Sequence, residues 1–213
     1  MKKSVYSLVL MDDVVKAVDE QAYRLGTSRS NLINQILAQH LSCITPEMRM
    51  KDIFDSVSEL ISSTLQIQQQ HSASLMTMKT ALEYKYRPTI NYKVELKRIP
   101  DEFMGNIRVQ IRTQSPALIG LFNSFFAYRV RMEKLYLAQK GADNYVFSIG
   151  NGIFSRSLIN SSLSDEQAGE AIGEYITDLN RAVKVYFSSP ENFAENIPAL
   201  EKEYRKMLEK YII

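Results

Sequence analysis

The sequence predicts a two-part α and β chain: an N-terminal strand–helix–helix (β-α-α) segment, a long helix behind it, and a C-terminal α+β domain with two antiparallel hairpins and several helices. Three observations predict this. Apolar residues alternate near the start and then recur at helical spacing on both sides of a Gly-containing break; from Arg87 the period returns to two; after Ser115 helical spacing resumes, interrupted by a second alternating pair.

Residues 2–10 read as a short strand with Ser4, Tyr6, Leu8 and Leu10 on one face and Lys3, Val5, Ser7 and Val9 on the other. A helix follows over residues 11–25, with Asp12 or Asp13 as its cap and Val14, Val18, Ala22 and Leu25 as its apolar face. Gly26-Thr27-Ser28-Arg29-Ser30 breaks it, and Leu32, Ile33, Ile36, Leu37 and Leu41 mark a second helix over residues 31–42, capped by Ser28. A lone strand leaves its N–H and C=O groups unpaired, and the next forty residues offer no second strand. The same strand of another chain is its natural partner.

This order of elements resembles the ribbon-helix-helix family of DNA-binding proteins, which includes the MetJ, Arc and CopG repressors; the resemblance covers about residues 2–42. It implies an intertwined dimer whose two strands pair antiparallel into a ribbon that enters the major groove of double-stranded DNA. Lys3, Val5, Ser7 and Val9 then face the bases. Lys2 flanks the ribbon where phosphates pass, and the start of the second helix, with Ser28, Arg29 and Ser30, offers free N–H groups and a positive dipole end to a phosphate. Val5 and Val9 bring only apolar contact, for instance to a thymine methyl, so base discrimination falls on Lys3, Ser7 and DNA shape.

At 213 residues the chain exceeds this segment several-fold, and its 45% hydrophobic and 23% charged residues are globular averages, so a further folded domain is expected. A net charge of +2 neither demands nor excludes a nucleic-acid partner. The single Cys43 rules out an internal disulfide framework and fits a reducing cytosol. With only His40 and His71 beside it, one chain lacks the ligands of a structural zinc site, and no cofactor is expected. No run of about 18 apolar residues predicts a membrane span, and Ser4, Ser7, Asp12 and Asp13 break up any signal-peptide core. A cytoplasmic protein of bacterial or mobile-element type is the expectation.

Thr45-Pro46-Glu47 starts the next helix. Met50, Ile53, Val57, Leu60, Thr64, Ile67, His71, Leu75, Met78 and Leu82 continue three-four spacing, which predicts one long helix to about residue 84, either packed on its own domain or in a coiled coil. Ile90, Tyr92, Val94 and Leu96, then Ile107, Val109 and Ile111, predict an antiparallel hairpin whose polar face carries Lys93, Lys97, Arg108 and Arg112 against Glu95. That basic face reads as solvated or as a second contact to the DNA backbone. Ser115-Pro116 opens an amphipathic helix that Gly141 ends; a second hairpin, residues 144–149 and 153–159, turns at Asn151-Gly152. Ser164 to Gln167 forms a capping box for a helix to about Phe187, and Ser189-Pro190-Glu191 caps another that Pro198 interrupts before a final helix over residues 199–211.

The organisation is therefore residues 1–44 for DNA binding, 45–84 as a connecting helix and 85–213 as an α+β domain for oligomerisation, sensing or partner binding. Tyr84, Tyr86, Tyr92, Phe122, Phe125, Phe126, Tyr128 and Tyr136 sit at core spacing, with a small-molecule pocket as the alternative. There is no Gly-rich phosphate loop, no G-x-S-x-G and no H-E-x-x-H, so no enzyme is expected. The expected function is a sequence-specific DNA-binding protein, most simply a homodimeric transcriptional repressor. The alternative is an adaptor for plasmid partition, a relaxosome or an antitoxin system, whose C-terminal domain binds a protein partner.

Overall fold

Val14, Val18 and Ala22 share one side of α1 (Asp12–Arg24), as their four-residue spacing requires. The computed structural model describes residues 6–68, 72–142 and 144–213, and the chain divides into two compact units, Met1–Arg49 and Met50–Ile213.

In the first unit α1 ends in a left-handed turn at Gly26, φ +59°. The Gly26 N–H donates to Tyr23 O and the Thr27 N–H to Ala22 O, the paired bonds of a Schellman stop. The second helix, α2 (Arg29–His40), is capped as expected, with Ser28 Oγ accepting from the Asn31 N–H at 3.3 Å. It closes with the same bond pattern, except that Ser42 occupies the left-handed position at φ +53°. The strand expected over residues 2–10 lies partly outside the described residues; residues 6–10 have no regular secondary structure in the single chain.

Thr45 caps α3 (Pro46–Ile61), its Oγ1 accepting from the Met48 N–H at 3.2 Å, and Met50, Ile53, Phe54, Val57 and Ile61 carry the helix face into the core of the second unit. The long helix expected to residue 84 is corrected here: α3 stops at Ile61. The Ser62 and Thr64 hydroxyls bond back to Glu59 O and Ile61 O, and so compete with helix continuation. The chain then pairs β1 (Gln66–Ile67) with β2 (Leu75–Ala81). Met76 and Met78 alternate into the core opposite Val94 and Tyr92, so strand pairing overrides the helical spacing of Leu75, Met78 and Leu82.

Six antiparallel strands form one sheet in the order β1-β2-β3-β4-β6-β5, with β3 (Thr89–Leu96), β4 (Phe103–Arg112), β5 (Phe147–Gly150) and β6 (Ile153–Ile159). Both expected hairpins are present, β3–β4 and β5–β6, the second turning at Asn151 and Gly152, both at positive φ. Strict alternation of burial along β3 shows that helices cover one face of the sheet only.

The covering layer is α3 together with α4 (Pro116–Gln139), α5 (Asp165–Ser188) and α6 (Phe193–Lys210). Phe126 of α4 stacks on Phe154 of β6 with centroids 4.3 Å apart, and Tyr92 of β3 donates to Asn180 of α5 at 3.2 Å. The Ser164–Gln167 capping box starts α5. One turn further on, Gly169 and Gly173 let α5 approach α3: a Cβ on Gly169 would lie 2.6 Å from Ile53 O. The expected break at Pro198 is a second correction, because α6 runs through it. Proline in the second turn removes one intrahelical bond, and the burial of Leu200, Tyr204, Met207 and Leu208 outweighs that loss.

Candidate nucleic-acid interface

Five of the expected DNA contacts can be located in the first unit. Ser7 and Val9 are exposed, Val9 completely, whereas Lys2, Lys3 and Val5 lie outside the described residues. Ser28 sits at the start of α2 with Arg29 and Ser30 as the first two helical residues. The Asn31 N–H is taken by Ser28 Oγ and the Leu32 N–H by Ser28 O, which leaves the N–H groups of Arg29 and Ser30 facing outward without a described partner.

The Arg29 side chain is already engaged. Its Nε and Nη2 grip both carboxylate oxygens of Asp19 on α1, a bidentate pair that ties the start of α2 to the middle of α1. The hydrogen bond from Arg29 holds the Asp19 carboxyl below the usual carboxylate range, and the same bond raises the Arg29 guanidinium. The sequence alone did not pair these residues, because they are ten positions apart on different helices. The donors open at this helix terminus are therefore main-chain N–H groups and the Ser28 and Ser30 hydroxyls, while Arg29 is held by Asp19 as a clamp.

Among the described residues the buried apolar cluster of this unit is Val18, Ala22 and Leu32, with Ile33 packed against it. Tyr6, Leu8, Leu10, Leu25, Ile36, Leu37 and Leu41 are exposed, Tyr6 by 84% and Leu41 by 66%. An open groove of about 610 Å³ between α1 and α2 is lined by Val14, Ala17, Leu25 and Ile36 among others.

In the second unit the sheet gathers Lys93, Arg108 and Arg112 on its uncovered face, with Lys93 directly opposite Arg108. Lys97 is diverted into the β3–β4 turn, where Nζ contacts both Asp101 oxygens at 2.7 and 2.8 Å. Lys79 of β2, opposite Asn91, joins the same face and was missed because its segment read as helix. Tyr92, Phe122, Phe125 and Phe126 are wholly buried core, Tyr84, Tyr128 and Tyr136 pack against it, and Tyr86 is exposed. Burial pushes the Tyr128 hydroxyl up to about 12.

A buried ionic cluster also escaped the sequence reading. Arg129 Nε donates to Glu133 Oε1 at 2.6 Å and Nη1 to Asp178 Oδ2 at 2.8 Å. Tyr175 donates to Glu133 at 2.9 Å, and Arg156 Nε approaches Glu133 Oε2 at 3.2 Å. Arg156 also donates to the Ile213 main-chain oxygen and lies over the rings of Tyr145 and Tyr175, 4.7 and 4.3 Å from their centroids. The available signal was a charged residue at a buried position in each pattern: Arg156 between Phe154 and Leu158, and Asp178 between Ile176 and Leu179. Charges balance within the cluster, and it ties α4, α5 and β6 together. Among the described residues no cluster of three or more His, Cys, Asp or Glu is placed to hold a metal ion, and no helix is long and apolar enough to cross a membrane.

No protein-family model matches the chain, and comparison with curated proteins and with solved structures returned no match.

Proposed function

We propose that the chain is a sequence-specific DNA-binding protein, most simply a transcriptional repressor, which dimerises through its N-terminal segment and sets the paired strands in the major groove. The observation that carries the reading is the incompleteness of the first unit alone. Among the described residues the main chain of Tyr6 to Leu10 has no hydrogen-bond partner, and the apolar side of that segment, Tyr6, Leu8 and Leu10, is open to solvent together with Leu25, Ile36 and Leu37. Unpaired strand backbone and an uncovered apolar face of this extent call for a partner. A second copy satisfies both needs at once, since antiparallel pairing of the same strand supplies the hydrogen bonds and brings the α1–α2 groove against its twin.

In that dimer Lys3, Val5, Ser7 and Val9 face the bases, and Lys2 with the α2 starts of both copies holds the phosphates. Half or more of protein–DNA hydrogen bonds go to phosphate and sugar, which sets the register that base contacts then exploit. Binding of the full chain to its selected DNA site, with and without Lys3→Ala plus Ser7→Ala, tests the reading. A drop in affinity with a salt slope shallower by about one per chain, as expected for one phosphate or base-edge cation lost, supports it. Unchanged affinity and slope mean that the ribbon does not read DNA.

A further inference from the structure

The uncovered face of the six-stranded sheet is the most strongly polarised surface of the second unit. Rows of cross-strand neighbours run over it: Thr77, Lys93, Arg108 and Ser155 in one, Lys79, Asn91 and Gln110 in the next, Thr89 and Arg112 beyond. Among the described residues none of Lys79, Lys93, Arg108 and Arg112 forms an ion pair, and the face holds one acid, Glu95. Other cations of the unit are paired with acids, as in Lys51–Asp55, Lys97–Asp101 and Lys210–Glu174, and those of the helical layer lie among a larger number of carboxylates. The charge is segregated along the chain as well: residues 66–112 carry eight Lys and Arg against four Asp and Glu, while residues 165–213 carry six against ten.

Lys93 directly opposite Arg108 is an unfavourable cross-strand pair, because like charges at that spacing repel; Glu95, one same-face position along, forms an ion pair with neither. With strands about 5 Å apart and about 7 Å between same-face residues along a strand, the four cations span a patch of roughly 10 by 14 Å. Amide and hydroxyl groups fill the gaps between them. Lys79 also lines an acid-free groove of about 540 Å³ with Ser62, Ser63, Thr80 and Thr89.

We propose that this face binds the phosphate backbone of duplex DNA, as a contact separate from the N-terminal ribbon. Charge complementarity selects a polyanion. Duplex backbone is favoured over single strands because no aromatic side chain lies among these four cations: Tyr92 and Phe154 are buried in the core, and Phe103, half-buried at the far end of β4, carries Lys97 over its ring. It is favoured over a protein partner because the patch lacks the apolar or aromatic centre around which protein interfaces are built. Such a contact is indifferent to sequence. It adds affinity, and its contribution declines with salt by about 0.9 in log K per log salt for each phosphate neutralised.

The test uses the full chain and a 30-base-pair duplex lacking any selected site, with affinity measured across a salt series for the natural sequence, for Lys93→Gln with Arg108→Gln, and for Lys184→Gln with Lys202→Gln on the helical layer. The face variant is expected to lose tenfold or more in affinity at 0.1 M salt and about two units of slope, while its melting temperature stays equal or rises as the Lys93–Arg108 repulsion is removed. The helical-layer variant keeps both affinity and slope. Equal slopes for the natural chain and the face variant overturn the proposal while leaving the ribbon reading intact. No duplex binding by the natural chain overturns both, and duplex binding that survives Lys3→Ala with Ser7→Ala but not the face variant supports the face alone. Equally tight, face-dependent binding of polyglutamate reassigns the surface to an acidic protein and overturns the DNA proposal.

Discussion

Replacing Glu133 by Ala tests how the second unit is held together. Glu133 is fully buried, accepts from Arg129 Nε and the Tyr175 hydroxyl, and forms an ion pair with Arg156 Nε at 3.2 Å. Burial by itself would lower the Arg129 pKa; the carboxylates of Asp178 and Glu133 outweigh it and hold the guanidinium well above its ordinary value, so the charge persists in the core. Removing the carboxylate leaves Arg156 with a main-chain oxygen and two aromatic faces, and Arg129 with Asp178 and the rings of Tyr175 and Tyr204. Breaking a buried ion pair from one side costs about 3–5 kcal/mol, because the surviving charge is stranded in a low dielectric. In a unit of this size each kcal/mol lowers the melting temperature by about 2–4 °C, so a fall of roughly 10 °C is expected. Chemical denaturation followed by tyrosine fluorescence measures it, since Tyr145, Tyr175 and Tyr204 border the cluster. Changing Glu133, Arg129, Arg156 and Asp178 together to apolar residues restores most of the stability, as apolar substitution of whole buried clusters commonly does. A loss below about 1 kcal/mol for Glu133→Ala would refute the reasoning, because it would mean that water or rearrangement satisfies both guanidinium groups.

Further outcomes follow from single positions. Gly169→Ala costs about 1–3 kcal/mol by overpacking against the α3 backbone, whereas Gly120→Ala, with nothing within 4 Å of the added methyl, stabilises α4 by up to about 1 kcal/mol; thermal unfolding of the two variants should move in opposite directions. Gly26→Ala puts a side chain at φ +59° and costs about 1–2 kcal/mol, while Ser42→Gly relieves φ +53° and gains a comparable or smaller amount, both read from unfolding of the first unit. The Asp19–Arg29 clamp has a pH signature. Asp19 titrates below its unfolded value, so the clamp's contribution is present above the unfolded carboxyl pKa, near 4, and is lost as pH falls through the lowered folded value. Amide-exchange protection factors in α2, corrected for the intrinsic pH dependence of exchange, should be unchanged from pH 7 to 5, and Asp19→Asn should lower them at pH 7.

Local signals proved legible wherever one pattern fitted one structure. Alternation over Ile90–Leu96 and Ile107–Ile111, the Asn151-Gly152 turn, the Ser115 and Ser28 caps and the Ser164–Gln167 box each admit a single arrangement, and each is found. The stretch after Ile61 admitted two. Leu75, Met78 and Leu82 satisfy a helical spacing while Met76 and Met78 satisfy a strand, and only the partner strand, far along the chain, decides. Pro198 shows the same limit: its local cost is small beside the burial of the residues that follow. At the candidate interface, the residue types of the basic face were visible, but its membership was not. Lys97 is removed by Asp101, Lys79 is added by a strand that read as helix, and Arg29 is engaged by Asp19 across a turn.

Selection of bound sequences from a random duplex pool by the full chain tests the central claim most directly. A dimer with an antiparallel ribbon reads two equivalent half-sites, so the account predicts enrichment of a two-fold symmetric motif that disappears with Lys3→Ala plus Ser7→Ala. A pool that remains unenriched after repeated rounds, while the chain still binds duplex, would contradict a sequence-reading role.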